Sequence, residues 1–181
     1  MQKEAEYIVS YKGLREGKHT FAFTVNRDFF SLIEESLYND GDVRVNVCLN
    51  KGMRMLVFDF DIKGIVASVC DNCLEPINVP VSCQNTLYIK FGDEYDEPAE
   101  DIIILPHEEY KFDLKQVIYE LIVTSLPMRH LHPTRNDGTT GCNPEMVEKL
   151  NEYKINKPHA GSEQTSDPRW DELKKLIDKK G

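Results

Sequence analysis

Two long stretches of alternating apolar and polar residues meet at Cys70-Asp71-Asn72-Cys73. Before the cysteine pair, every second residue is apolar over residues 43–49 and again over 56–62. After the pair, most alternate residues over 79–91 are apolar. Alternation with a period of two is typical of strands that bury one face. The pattern predicts antiparallel strands, with the cysteine pair at the tip of the longest hairpin.

Two glycines modify this pattern. Asn50-Lys51-Gly52 has the composition of a tight turn and is expected to join the first two strands. At Gly64 the apolar residues move from even to odd positions, so that Ile65 and Val69 are expected to share a face of the strand. A shift of this kind predicts a β-bulge at Gly64.

The residues before the sheet predict two short strands and a helix. Residues 7–14 and 19–25 have strand character and are expected to pair with each other as a hairpin or edge pair. Asp28 can cap a helix, whose apolar side would carry Phe29, Leu32, Ile33 and Leu37.

After the long hairpin, the sequence contains an acidic segment, a short apolar segment and two helical segments, in that order. Six of the nine residues 93–101 are acidic, which predicts a mobile, solvated loop, and residues 102–105 are expected to form one more strand. Asp113 is placed to cap an amphipathic helix that would cover one face of the sheet. A second helix is predicted to begin at Pro144.

These patterns together predict an α+β fold. We expect a mostly antiparallel β-sheet of five or six strands with a packed helix and a candidate zinc knuckle at a hairpin tip. Residues 1–153 would form this domain. Residues 154–181 are expected to hold a polar linker and a short C-terminal helix around Trp170, and the sequence leaves open whether that helix docks on the domain.

Charge and composition restrict the function classes. The chain of 181 residues has 22 basic and 31 acidic side chains and a formal net charge of −9, which disfavours binding dominated by phosphate contacts but leaves direct nucleic-acid contact open. No run of eighteen apolar residues exists to span a membrane. The first residues lack the apolar core of a signal peptide, so we expect a cytoplasmic protein with reduced thiols.

The cysteine pair supplies half of a zinc site. Zn²⁺ takes four ligands in a tetrahedron, and Cys-x-x-Cys provides two from one turn. The other half would come from Cys142 and one histidine. His130 and His132 share a side of an extended segment, and we favour His132. The predicted metal ligands are therefore Cys70, Cys73, His132 and Cys142, holding a structural zinc.

Other interpretations of the same residues remain open. The pair can consist of small side chains at a turn, and a redox role is disfavoured because Pro76 and a strand follow. A nucleophilic Cys142 with His132 as its base would define a cysteine-dependent enzyme. The sequence contains no P-loop, Rossmann glycine pattern or Gly-x-Ser-x-Gly elbow. We expect neither catalytic residues nor a small-molecule substrate, and we expect Cys48 and Cys83 to be packing residues.

Two segments resemble those of a known family. The stretch from Gly64 to Pro76, in which a strand leads into Cys-x-x-Cys-Leu-Glu, resembles the signature of the bacterial YceD family, the large ribosomal RNA subunit accumulation proteins. Residues 126–133 resemble that family's segment after the helix. The resemblance covers about residues 20–153 and leaves the Trp170 helix outside. His132 stands about where the family has its third cysteine, and Cys142 corresponds to its later cysteine segment.

The resemblance implies a function without enzymatic activity. It suggests an accessory factor in large ribosomal subunit biogenesis that supports 23S rRNA accumulation in the cytoplasm. The acidic charge favours a basic ribosomal protein or a large-subunit precursor as partner. The alternative is a zinc-stabilised protein-interaction module unrelated to ribosomes.

Overall fold

A computed structural model describes residues 7–135 and 138–153. The elements in chain order are β1 (Ile8–Val9), β2 (Gly17–Val25), α1 (Arg27–Phe30), β3 (Gly41–Lys51), β4 (Met55–Val69), β5 (Pro76–Gly92), β6 (Asp96–Ala99), β7 (Ile102–Pro106), β8 (Phe112–Asp113), α2 (Lys115–Ser125) and α3 (Pro144–Tyr153). The predicted C-terminal helix lies outside the described residues. No described helix is both long enough and apolar enough to cross a membrane.

A six-stranded sheet forms the centre of the fold. Its strand order is β2-β3-β4-β5-β7-β6, and β5 and β7 are parallel while the other neighbouring strands are antiparallel. A separate two-stranded sheet joins β1 to β8. The strands and the helix packed on them confirm the predicted α+β class.

The alternating residues bury one face of the central strands. Val45, Leu49, Phe58 and Ile62 are fully buried, while their neighbours on β3 and β4 point to the other face. Ile118 and Ile122 of α2 join this core, as the amphipathic pattern predicted. Burying a side chain of this size contributes about 1.5–3 kcal/mol, so the core supplies the main driving force for folding.

The N-terminal elements differ from the prediction. β1 pairs with β8, and β2 pairs with β3 along its whole length, so the predicted pairing of the two N-terminal strands was wrong. The Tyr7 hydroxyl donates a hydrogen bond to the carbonyl oxygen of Thr24 at 2.8 Å, which ties the N-terminal segment to β2 through a side chain instead.

The first helix is one turn long. Asn26, and not Asp28, caps it, because the Asn26 side chain accepts hydrogen bonds from the backbone N–H groups of Asp28 and Phe29. The Ser31 hydroxyl then donates to the carbonyl oxygen of Asp28 at 2.6 Å. Because the helix ends there, Leu37 is not on its apolar side and is 74% exposed.

The acidic segment contains a strand as well as turns. Residues 96–99 form β6 at the edge of the sheet beside β7, and all four are exposed. The prediction of a loop throughout this segment was wrong, because backbone pairing to β7 does not require the carboxylates to leave water. The neighbouring prediction of a strand at residues 102–105 is confirmed by β7.

The described residues form two compact units, divided between Asn143 and Pro144. Within the second unit, α3 begins at Pro144, as predicted, and none of its side chains is buried.

At Gly64 the backbone of β3 approaches β4 closely, and no bulge forms. It pairs in continuous register with Val43 on one side and Val81 on the other. A Cβ atom at residue 64 would overlap the carbonyl oxygen of Asp42 and lie 2.5 Å from the Cα of Val43. The buried residues of β4 therefore stay at even positions after Gly64. Ile65 is 40% exposed, and the next core residue is Val66.

We expect Gly64→Ala to lower the free energy of unfolding by about 1–3 kcal/mol, because the methyl group would push β3 away from β4. Urea denaturation followed by circular dichroism measures the change. Gly13→Ala is the matched control, because a Cβ at residue 13 meets nothing within 4 Å. Equal stability of the two variants would contradict the close approach of the two strands.

Candidate metal centre

The hairpin between β4 and β5 carries the cysteine pair at its tip, as predicted. The Cys70 backbone N–H donates to the carbonyl oxygen of Glu75, and the Leu74 N–H donates to that of Cys70, both at 2.8 Å. Leu74 completes the turn with a left-handed backbone at φ 60°. This tight turn directs both cysteine side chains inward, where Cys70 is fully buried and Cys73 is 3% exposed.

A loop after α2 carries the second pair of side chains. Thr134 and Thr140 form an antiparallel bridge that folds the loop back on itself. His132 precedes this bridge and Cys142 follows it, so the two side chains arrive together. A Cβ atom at Gly141 would lie 2.8 Å from the carbonyl oxygen of Pro133, so the close return of the chain favours glycine there.

The two segments bring Cys70, Cys73, His132 and Cys142 into one cluster. Their four ligand atoms all lie within 4.8 Å of one another. The Sγ atoms of Cys70 and Cys142 are 3.7 Å apart, and Cys73 Sγ is 3.4 Å from His132 Nδ1. All three cysteines are free, and the sulfur separation is far beyond the ~2.05 Å of a disulfide.

Two separations within the cluster match those of a tetrahedral zinc site. Zinc–sulfur bonds of about 2.3 Å and zinc–nitrogen bonds of about 2.0 Å place neighbouring ligand atoms about 3.5–3.8 Å apart. The separations of 3.7 Å between Cys70 Sγ and Cys142 Sγ and of 3.4 Å between Cys73 Sγ and His132 Nδ1 are close to these values. Three thiols and one imidazole are also a donor set that suits zinc, so the cluster can hold a metal ion.

The surroundings of Cys70 favour its thiolate form. Burial raises the pKa of the Cys70 thiol. Hydrogen bonds from the backbone N–H groups of Cys73, Asn72 and His132, and from the His132 side chain, lower the pKa by more than burial raises it, to about 6. A thiolate is the form that binds metal and that forms a strong hydrogen bond with a cation. The turn therefore favours the form of Cys70 that a metal ion would bind.

The neighbours of Cys73 and His132 in the cluster also shift their pKa values. Burial raises the pKa of the Cys73 thiol, and the neighbouring Cys70 and Cys142 side chains raise it too, although backbone N–H groups of Asn143 and Glu75 oppose them. Hydrogen bonds to Cys70 and Cys142 raise the pKa of the His132 imidazole. The raised pKa values favour the protonated forms of the Cys73 thiol and the His132 imidazole. A bound cation would displace these protons.

His130 has a different role from His132. Its Nδ1 lies 2.8 Å from the Ser68 hydroxyl, and its backbone N–H donates to the Asp71 carboxylate at 2.7 Å. Its carbonyl oxygen accepts from the Asp71 N–H at 2.8 Å. These three contacts, which we call the Asp71–His130 clamp, fasten the loop to the hairpin beside the cluster.

Sequence reasoning did not find this clamp. Asp71 lies between the two cysteines, and an isolated acidic residue in a turn gives no indication of a partner 59 residues away. Asn143 adds a further link, because its side-chain amide donates to the Glu75 carboxylate at 2.8 Å. Both contacts depend on the path of the loop, which contains no periodic pattern.

The other cysteines lie outside the cluster. Cys48 is on the exposed face of β3, paired with Asp59 of β4, and Cys83 is half-buried against the core. Burial raises the pKa of the Cys83 thiol. Neither residue belongs to the cluster. Cys83 packs against the core as predicted, whereas Cys48 lies on the face of the sheet opposite the core.

Comparisons with known proteins identify a family but no close relative. The model of the family described as "Large ribosomal RNA subunit accumulation protein YceD" matches residues 58–177. The match begins and ends later than the resemblance predicted, and it includes Trp170. No curated protein matches this chain. No solved structure matches it either. Because the family model covers more than half of the 181 residues and contains all four residues of the cluster, the chain belongs to the YceD family.

Proposed function

We propose that this protein is a non-enzymatic accessory factor in large ribosomal subunit biogenesis that supports 23S rRNA accumulation. The family match carries the proposal, because the family is named for accumulation of large-subunit ribosomal RNA and not for a reaction. The protein would act in the cytoplasm through a ribosomal protein or a large-subunit precursor. Its formal charge of −9 favours contact with basic protein over contact with naked RNA.

The second part of the proposal concerns Cys70, Cys73, His132 and Cys142, which would bind one structural zinc ion. Four protein ligands fill a tetrahedral coordination sphere and leave no position for substrate. The ion would tie the hairpin tip to the loop after α2, beside the Asp71–His130 clamp. Three of the four residues are buried, which supports a structural role and argues against a reactive Cys142 nucleophile.

A zinc-stabilised interaction module unrelated to ribosomes is the alternative function. It requires the same cluster and the same fold, so the metal alone does not separate the two proposals. The family match favours the ribosomal role, and the deciding evidence is the partner.

Sedimentation of cell extracts tests the ribosomal role. At low salt, we expect the protein to travel with precursors of the large subunit, and we expect a deletion strain to contain less 23S rRNA than its parent. Raising the salt concentration is expected to release the protein if the contact is electrostatic. Absence from every ribosomal fraction together with normal 23S rRNA would refute the proposed function.

Elemental analysis tests the metal site. Protein purified without added zinc is expected to contain about one equivalent of zinc, and His132→Ala is expected to retain less than about a tenth of it, because a nitrogen ligand is lost. His130→Ala is the matched control and is expected to keep its zinc, since its Nδ1 lies against Ser68. Equal zinc loss in both variants would contradict the ligand assignment.

Acidification is expected to release the ion. Metal binding requires the Cys70 thiolate, whose pKa is about 6, and a neutral His132 imidazole, whose pKa is raised. Both groups gain protons as the pH falls, so protons compete more strongly with the ion below about pH 6. Zinc transfer to a coloured chelator, measured from pH 8 to pH 5, should increase toward low pH. Transfer that does not depend on pH would argue against thiolate and imidazole ligands.

A further inference from the structure

A groove separates the β6 end of the sheet from α2. Its volume is about 540 Å³, and its floor is apolar. Leu87 and Ile103 come from the sheet, Phe112 comes from β8, and Val117 and Leu121 come from the helix. The first three side chains are at least nine-tenths buried, and the two helix residues are half-buried. Val117 and Leu121 thus offer apolar surface at the groove that another chain can cover.

Carboxylates surround this apolar floor. Glu97 and Glu100 line it from the β6 side, and Asp113 and Glu120 line it from the helix side. All four are exposed, and no lysine or arginine is among the described residues that line the groove. A groove with apolar walls and charges of one sign concentrates counter-ions of the opposite sign.

The hydrogen bonds of these carboxylates go to neutral groups. Glu97 accepts from the Tyr95 hydroxyl, Glu120 accepts from the Gln116 amide at 2.7 Å, and Asp113 accepts from the Lys115 backbone N–H at 2.8 Å. The hydrogen bond to Glu97, with burial and the nearby Glu120 charge, raises the pKa of Tyr95 to about 12.

We propose that the groove binds a cationic segment of a partner protein, in which lysine or arginine side chains alternate with apolar ones. The apolar side chains would cover Val117 and Leu121, and the cations would pair with Glu97, Glu100 and Glu120. Nucleic acid is the wrong occupant, because its phosphates would meet carboxylates. The identity of the partner as a ribosomal protein rests on the proposed function, whereas the chemistry of the segment rests on the groove alone.

Fluorescence anisotropy with a labelled twelve-residue peptide of alternating lysine and leucine tests the groove. The full-length protein is expected to bind this peptide, and Glu97→Gln, Glu100→Gln and Glu120→Gln combined should weaken binding about tenfold, because three charge pairs are lost. The control variant combines Glu16→Gln, Glu34→Gln and Glu35→Gln, which removes the same charge elsewhere on the surface. Its affinity is expected to fall less than about twofold.

A second pair of variants guards against a folding defect. Thr124→Lys places a cation at the groove and should weaken binding, whereas Thr20→Lys on the exposed part of β2 should not. Thermal melting of each variant shows that it is folded. Equal weakening by the groove and control variants would mean that only net charge matters, and it would overturn the proposal. Binding of a labelled uridine oligomer that the groove variants abolish would overturn it too.

Other occupants give distinct results. A groove variant that changes the oligomeric state but leaves peptide affinity unchanged would assign the groove to a second copy of this chain. Tighter peptide binding after Lys174, Lys175, Lys179 and Lys180 are changed to glutamine in the full chain would assign it to the chain's own C-terminal sequence. Either result would overturn the proposal of a partner segment.

Sedimentation separates this inference from the proposed function. If the wild-type protein travels with large-subunit precursors but does not bind the peptide, the groove inference fails and the ribosomal role stands. If the protein binds the peptide through the groove but is absent from every ribosomal fraction, the groove inference stands and the ribosomal role fails. Loss of precursor association in the groove triple variant, with retention in the control triple variant, would support both.

Discussion

The long antiparallel pairing of β4 with β5 determines where every other part of the first unit lies. Its register runs without a break from Met55 opposite Lys90 to Val69 opposite Pro76. A slip of one residue would turn the buried side chains of β5 outward and move the cysteine pair away from the loop after α2. The core and the candidate metal site therefore depend on the same register. Gly64 supports this register because the absence of a Cβ atom lets β3 pack closely against β4.

The candidate site combines two kinds of fastening. The Asp71–His130 clamp uses neutral and charge-assisted hydrogen bonds, and a metal ion would add bonds to three sulfurs and one nitrogen. Hydrogen bonds contribute about 0.5–3 kcal/mol each, and the exposed contact with the Asp71 carboxylate belongs at the lower end, whereas a structural zinc contributes several times more. The clamp thus contributes to the position of the loop, while the ion would set how firmly it is held.

The sequence predicted the parts of this fold that have a period. Alternation located β3, β4 and β5, and the helical stripe located α2, because each pattern records which side chains face the core. It failed where a local contact decides the structure, as at Asn26, which caps a single turn of helix, and at Gly64, where the strand continues without a bulge. The cysteine spacing predicted the half-site on the hairpin. The family resemblance and the choice of His132 agree with the cluster, but the clamp required the folded loop.

The distance along the chain between the two halves of the cluster has a consequence for biosynthesis. Cys142 follows Cys70 by 72 residues, so a ribosome translating this chain adds the last candidate ligand well after the cysteine pair. During that interval, Cys70 and Cys73 are available without their partners, to any thiol-reactive compound or competing ion in the cell. The four residues can therefore come together only after Cys142 has been added, late in the synthesis of the first unit.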